Sequence, residues 1–489
     1  MVFKKKQKKI SEVLSYDEYL SGIYDANAPL PADLDQAKQL FKTAFSNSFD
    51  FTEREFTLPG GKEVYLCFIS AMISENKLEY SVIEPLLKNS GNIKLQRAAD
   101  FGSILTIAEF EKADSWKTTV RNLLDGNILL YAEYCDPIIL YLAEPLERSL
   151  TDPTTENQVY GPKIGFIENQ HSNVGILRQF IKDPRLKTKE YRLGEVSNTG
   201  VSLVYLEQYC EPSVVKHVDQ LLNSYDKDHL ITAGELNKYI SRHPNSIFPQ
   251  VTMSERPDVA AYSLLQGKVV LFIDNFTFSV IAPITFMDML ETTEDHTYFV
   301  PWNLAFIRIL RLICLVIGTT LPALYVSLVA YQPEMIPTEL MISVAQSRAQ
   351  IPLPANAEAF LMMFALDVLV EASMRLPSFV GQTIGIVGGL VIGTAAVEAG
   401  LISNIMVIII AFTAVAMFTL PSWEYVSSWR IVRYGLVASA AALGLYGFVL
   451  AIGFLYMHLS KLDSLNKSYL YPISPFYPRQ ILNFFKPRK

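Results

Sequence analysis

The chain is 489 residues long, 50% hydrophobic and 19% charged, with a formal net charge of −7. That is greasier than a soluble protein usually runs and leaves room for several domains, while the negative balance argues against nucleic acid as a partner of the whole chain. Cys67, Cys135, Cys210 and Cys314 stand far apart with no C-x-x-C pair, which fits free thiols in a reducing compartment and argues against a disulfide or zinc role.

The hydrophobic surplus is uneven. Up to about Phe299 charges and apolar residues mix as in a soluble domain, whereas Leu304 to Leu459 is dominated by long uncharged runs. The expectation is a cytosolic α/β region of two subdomains followed by an all-α polytopic membrane domain. Its divisions are a basic, mobile tail over 1–32, subdomains over 33–150 and 151–300, a helical domain of about four to six membrane segments over 301–460, and a basic tail over 461–489. Lys4, Lys5, Lys6, Lys8 and Lys9 at one end, and Arg479, Lys486, Arg488 and Lys489 at the other, read either as membrane-surface or cytosol-retention signals or as plain solvated runs. No apolar h-region follows the first lysines, so the soluble half is expected on the cytosolic side.

Regular structure is expected to begin near Asp33, where DLDQAKQLFKTAF has helical spacing. Glu63 to Ser70 reads as a strand, ENKLEYSVIEPLLKN as a helix ending at Ser90-Gly91, and GNILLYAE as another strand. Pro153, Gly161, Pro162 and Gly165 make Thr151 to Asn169 a connecting loop. The second subdomain runs through a strand at Val201–Tyr209, a helix at Ser213–Tyr225 and a strand at Lys268–Asp274. Phe248 to Asp258 is too rich in turn residues to be a strand, and the acidic patch Glu291, Glu294 and Asp295 follows.

Catalytic and cofactor motifs fail in this half, and neither enzyme nor cofactor is expected. Pro59-Gly60-Gly61-Lys62 lacks the Walker glycine, since Phe56 stands five positions before Gly61. Asp226-Lys227-Asp228 opens like a calcium loop, yet its sixth position is Ile231 where the turn requires Gly. His171, His217, His229, His243, His296 and His458 show no metal-ligand spacing, and there is no G-x-S-x-G.

In the apolar half, Leu312 to Tyr331 is about the 20 residues a bilayer core requires, preceded by Arg308 and Arg311 and interrupted by Pro322. TELMISVAQSRAQ reads as an amphipathic helix in the far interface, with Leu340, Met341 and Val344 opposite Glu339 and Arg348. The span Phe360–Leu376 carries Asp367, Glu371 and Arg375 at spacing four on an otherwise apolar helix. Charges in such a segment demand partners or a wet axis. With Met363, Val370 and Met374 beside Asp367 and Glu371, several copies around an axis would make carboxylate rings separated by apolar constrictions. The alternative is an in-helix Glu371–Arg375 pair with Asp367 bonded to a neighbouring helix. Gly381, Gly385, Gly389 and Gly393 then form a smooth stripe for close helix packing, Ile402–Leu420 is a further span, Arg430 and Arg433 mark a cytosolic loop, and Tyr434–Leu459 is the last span. Five crossings from a cytosolic start leave the basic tail outside, against the positive-inside bias. Either the glycine-rich or the amphipathic segment dips in and returns, or the tail is an exception.

From about Leu150 to Arg433 the chain resembles the A subunit of the spore germinant receptors, the GerA family. The residues that carry this are Pro153-Thr154-Thr155-Glu156-Asn157 with Gly161-Pro162 and Gly165-Phe166; Phe248-Pro249-Gln250 with Glu255-Arg256-Pro257-Asp258; Pro322-Ala323; Glu334 with Ile336-Pro337; Arg375-Leu376-Pro377; and Gly385 through Gly389 with Val397-Glu398-Ala399-Gly400. The departures are Tyr160, Ile164, the run Glu294-Asp295-His296-Thr297-Tyr298 and Val370. The resemblance implies a homo-oligomeric subunit among the lipids of the spore inner membrane, working with a transporter-like B subunit and a lipoprotein C subunit to trigger germination. It also implies a ligand-gated channel for monovalent cations; a solute carrier built on the Gly381–Gly393 segment, or a scaffold without conductance, are the competing readings.

Overall fold

The computed structural model describes residues 13–59, 61–89, 97–107, 109–143, 162–292, 294–295, 299–375, 389 and 393–485. They divide into an α/β unit, Met1–Arg242 with Val251–Pro283, and a helical unit, His243–Gln250 with Ile284–Lys489.

The α/β unit contains two five-stranded sheets. The first comprises β1 (Phe51–Thr57), β2 (Glu63–Ile69), β3 (Phe110–Lys112), β4 (Ile128–Ala132) and β5 (Ile138–Leu140), in the order β1-β2-β4-β5-β3. The second comprises β6 (Leu186–Leu193), β7 (Thr199–Leu206), β8 (Thr252–Ser254), β9 (Val269–Ile273) and β10 (Ser279–Ala282), in the order β6-β7-β9-β10-β8. Every pairing between these ten strands is antiparallel, which the alternation of helices and strands along the chain does not specify.

Side chains alternate between sheet faces, so a strand apolar at every position must be covered on both. In β2 and β4, Tyr65, Cys67, Ile69, Leu129 and Tyr131 pack on one side with Phe41 and Trp116. Val64, Leu66, Phe68, Ile128 and Leu130 pack on the other with Leu78, Val82 and Leu86. In the second sheet Val204, Leu206, Val270 and Phe272 bury against the Gln170–Phe180 and Pro257–Leu265 helices.

The identical strand order marks an internal repeat, and one junction recurs in detail. The helices Trp116–Leu124 and Pro257–Leu265 both end on a left-handed glycine, Gly126 at φ +89° and Gly267 at φ +78°. The next residue's amide closes back on the helix, Asn127 onto the Asn122 carbonyl at 3.0 Å and Lys268 onto the Ser263 carbonyl at 3.1 Å. This glycine-terminated cap feeds β4 and β9 directly. Contrary to expectation, Phe248–Asp258 does contain a strand: β8 pairs with β10, and the Ser279 hydroxyl donates to the Ser254 carbonyl at 2.8 Å. A three-residue edge strand needs one partner only, so turn-rich flanks do not forbid it.

The helical unit is built on the Pro301–Tyr331 helix, longer than the span expected from Leu312. Among the described residues two helices are long and apolar enough to cross a membrane, Pro301–Tyr331 and Trp423–Lys461. Pro322 is buried inside the first. The second is not straight. Gly444 breaks it at φ 60°, ψ −141°, and the turn is tight enough that a Cβ on Gly447 would come within 2.1 Å of the Ser439 carbonyl oxygen. A straight helix would hold Trp429 and His458 roughly 45 Å apart; instead Phe248 lies 5.2 Å from the Trp429 ring and 6.2 Å from the His458 ring. The element is a helical hairpin with Gly444 at its apex, against Tyr331, whose hydroxyl donates to the Ala441 carbonyl that the break frees. Arg430 and Arg433, expected in a loop, therefore sit inside a helical arm, because Gly435 keeps helical dihedrals and the first break after Pro421 comes at Gly444.

Ile284, where the chain enters this unit, and Phe484, near the end of the described residues, both lie at the end of the Pro301–Tyr331 helix opposite Tyr331. There Phe248, Ile284, Phe286, Leu315, Trp429, Leu459, Leu462 and Tyr469 form one apolar cluster. The Phe286 amide donates to the Tyr469 carbonyl at 2.7 Å, and the Arg308 guanidinium donates to the Phe484 carbonyl. At the other end, Ala323, Val326, Met362, Met363, Met406, Val437 and Phe448 form a second cluster.

Candidate functional site

Four charge centres interrupt the apolar packing, and each is positioned by a different local device. In the α/β unit Asp50, entering β1, is fully buried with Arg178. The Arg178 Nε and Nη2 donate to its two oxygens at 2.8 and 2.9 Å, and the Thr188 hydroxyl donates at 2.6 Å. Burial by itself would raise this carboxyl, but the guanidinium charge and these bonds outweigh it and hold it below the usual carboxylate range. The centre ties β1 of the first sheet to β6 and the Gln170–Phe180 helix of the second.

In the helical unit the expected acidic patch becomes a counter-ion set. Asp295 accepts from the Arg311 fork at 2.6 and 3.1 Å, and Arg308, wholly buried, lies 3.3 Å from Glu291 and 3.6 Å from Asp295. Burial pushes the Asp295 carboxyl up; the Arg311 fork overcomes that and leaves it low. Near the opposite end Glu358, with no exposed surface, accepts from Arg348 at 2.7 Å and from the Ser403 amide and hydroxyl. Arg348 thus turns inward, away from the polar face of the Thr338–Arg348 helix expected from the sequence. A buried carboxylate there requires a cation, and no other described group supplies one.

The fourth centre surrounds Asp367 on the Ala355–Arg375 helix. Its Oδ1 lies 3.3 Å from Arg430 Nε and 3.3 Å from Arg433 Nη2, and the Tyr434 hydroxyl donates to Oδ2 at 2.7 Å. Arg433 is 2% exposed, and its Nε has no hydrogen-bond partner among the described residues. Leu366, Val370, Met417 and Phe418 wall an open cleft over this group. The neighbouring Glu371 pairs with Arg375 at 2.6 Å on the exposed side of the same helix.

The five residues expected on one polar face are therefore divided within a single chain. Met363 is buried in the second apolar cluster, Asp367 and Val370 line the cleft, and Glu371 and Met374 are exposed. Of the glycine stripe, Gly381 and Gly385 lie outside the described residues. Gly389 is exposed, and a Cβ added there would meet nothing within 4 Å, whereas one added at Gly393 would lie 3.8 Å from Val407. Pro153, Thr154, Thr155, Glu156 and Asn157 also lie outside the described residues. Glu255, Arg256, Pro257 and Asp258 form a helix start: Pro257 opens the Pro257–Leu265 helix, the Arg256 guanidinium forks onto Asp258 at 3.1 and 2.9 Å, and the Glu255 carbonyl accepts from the Phe166 amide at 2.7 Å. Among the described residues no three of His, Cys, Asp and Glu converge as a metal site.

Sequence reasoning missed Asp50 with Arg178, Glu358 with Arg348, and the arginine pair at Asp367. Glu358 carried a usable signal, a carboxylate entering an apolar helix ten residues after a lone arginine. Asp50 and Arg178 carried none, being brought together only by the sheet pairing.

The fold and these centres define a two-part protein: a duplicated antiparallel α/β unit joined to a helical unit of membrane-crossing dimensions in which carboxylates are held by arginines. The chain belongs to the GerA spore germination family, whose model, described as Bacillus/Clostridium GerA spore germination protein, matches residues 39–487. It is similar to spore germination protein KA of Bacillus subtilis strain 168, 34% identical over 441 residues that cover 89% of this chain and 80% of the relative. Spore germination protein B1 of the same organism is 36% identical over 83% of this chain and 84% of its own length. Spore germination protein GerLA of Bacillus cereus is 35% identical over 88% of this chain and 87% of its own. Among solved structures, the N-terminal domain of the A subunit of the Bacillus megaterium spore germinant receptor GerK3 matches 53% of this chain and 98% of that one, at 23% identity and a TM-score of 0.41. A likeness at that level fixes no shared geometry.

Proposed function

We propose that this chain is the non-enzymatic A subunit of a nutrient germinant receptor in the spore inner membrane, with its α/β unit in the cytosol. It works beside a transporter-like B subunit and a lipoprotein C subunit, and as a homo-oligomer it passes monovalent cations when a nutrient is sensed. Membership of the GerA family supports the germination role. The observation that carries the oligomeric reading is the outer stripe of the Ala355–Arg375 helix. Leu361, Phe364 and Val368 are 44%, 63% and 50% exposed, and the stripe ends on Glu371, so a sister copy or lipid must cover it. In this reading Glu371 and Met374 face the axis, and Asp367, Val370 and Met363 set the helix behind them.

The location of Ile284 and Phe484 at one end of the helical unit supports an even number of membrane passages, the Gly444 hairpin supplying two. With an even number the basic tail would lie on the cytosolic side, in keeping with the positive-inside bias. Single cysteines at Tyr446 and Tyr477, 77% and 44% exposed, should react with impermeant maleimide from opposite faces of sealed vesicles. Conductance of the purified oligomer in planar bilayers tests the channel: a cation current reduced by Glu371→Gln is expected, and a silent, correctly assembled oligomer leaves the scaffold reading in its place.

A further inference from the structure

The Asp367 centre is out of balance. Two guanidinium groups share one carboxylate at 3.3 Å each, longer than the ~2.7–2.9 Å of a well-made charge-assisted bond. The local charge is therefore positive by one, with one Arg433 donor buried and unused. An excess cation facing apolar walls is costly unless an anion joins it.

The surroundings indicate which anion. Arg430, 18% exposed at its side chain, stacks 5.0 Å from the Trp423 ring, an arrangement typical of the headgroup level where tryptophans and arginines meet lipid. The cleft opens between Leu366, Val370 and Phe418. Phe418, Val415 and Ile431 beside it are 61%, 63% and 54% exposed, so an apolar surface leads away from the charged floor. A free anion would satisfy the arginines but leave those walls in contact with nothing. We propose that this cleft binds the phosphate of an anionic phospholipid, with Arg430 on the phosphate oxygens, the buried Arg433 adding its charge behind it, and an acyl chain along Phe418. The site rests on the membrane placement proposed above and is independent of conduction.

The test is native mass spectrometry of the full chain in detergent, titrated in parallel with a short-chain phosphatidylglycerol, the matching phosphatidylcholine, and inorganic phosphate. Phosphatidylglycerol should bind in preference to both others. Arg430→Gln, at a partly exposed position, should weaken it about tenfold, the effect of one lost charged bond. Asp367→Asn removes the competing carboxylate and should strengthen binding several-fold, a gain that misfolding cannot produce. Equal binding of phosphatidylcholine, or unchanged phosphatidylglycerol affinity in both variants, would overturn the site, as would a change of oligomer mass in place of lipid content in Arg430→Gln. Inorganic phosphate binding as tightly as the lipid would overturn the lipid assignment. A chain that stays monodisperse in buffer without detergent would instead overturn the membrane placement.

Discussion

Asp50 and Asp367 are both carboxylates held by arginine away from water, yet they serve opposite ends. Asp50 meets one guanidinium through its Nε and Nη2 with a hydroxyl beside it, at 0% exposure for both charged partners; one anion answers one cation and the charges balance. Asp367 is shared between two cations at longer distances, 17% exposed, beneath an open cleft. A buried ion pair fastens when its charges match and its bonds are short. Where they do not, it leaves a vacancy in the electrostatics that something else must fill.

The difference can be broken from the Asp50 side with the largest effect. Arg178→Ala strands a fully buried carboxylate, and chemical unfolding followed by tryptophan fluorescence should show the α/β unit destabilised by about 3–5 kcal/mol. The Asp50 carboxyl is held low in the folded state, so its stabilisation is present above the unfolded value of about 3.9 and is lost as pH falls through the folded one. Asp50→Asn should flatten that acid limb, and an acid transition identical to wild type would show that Asp50 does not drive it.

A smaller effect is expected at the hairpin. Gly444→Ala forces a side chain onto φ 60° and to 2.9 Å from the Tyr331 Cβ and Cγ, costing about 1–3 kcal/mol in thermal unfolding. Gly435→Ala, where nothing lies within 4 Å, should be neutral or gain about 0.5–1 kcal/mol. If both variants melted alike, the break at Gly444 would carry no strain of its own. Smallest is Glu371→Gln, which removes an exposed pair one helical turn apart. It should shift stability by about 0.2–0.5 kcal/mol, so any change it makes in current reports on conduction and not on folding.

Much of the architecture was legible because burial writes itself into sequence. Continuous apolar runs such as ILLYA and VVLFI demanded strands covered on both faces, and the shift in composition near residue 300 separated the two units. The duplication left a signal that the sequence reading passed over, RNLLDGNILLYAE against YSLLQGKVVLFID, where Leu-Leu-x-Gly precedes an apolar strand in both. Strands β1 and β6 escaped because FTEREFT and LKTKEYRL are half polar, and only pairing with β2 and β7 makes them regular. The hairpin escaped for a different reason. Glycines recur throughout that run, and only the close approach of Tyr331 distinguishes Gly444 from Gly435. The charge of Asp367 was readable, but its partners lay some sixty residues ahead among residues that look like loop markers.

The stretch His243–Gln250 has a consequence for the order in which the molecule is completed. It is synthesised ahead of every long helix of its own unit, yet Phe248 finally rests on Trp429, His458 and Tyr469, and the Gln250 carbonyl accepts the hydroxyl of Ser464. A growing chain must therefore carry this apolar loop in waiting until the residues from Trp429 to Tyr469 emerge. Nascent chains stalled before Trp423 should be trimmed by protease at Phe248, and extension past Tyr469 should close that window.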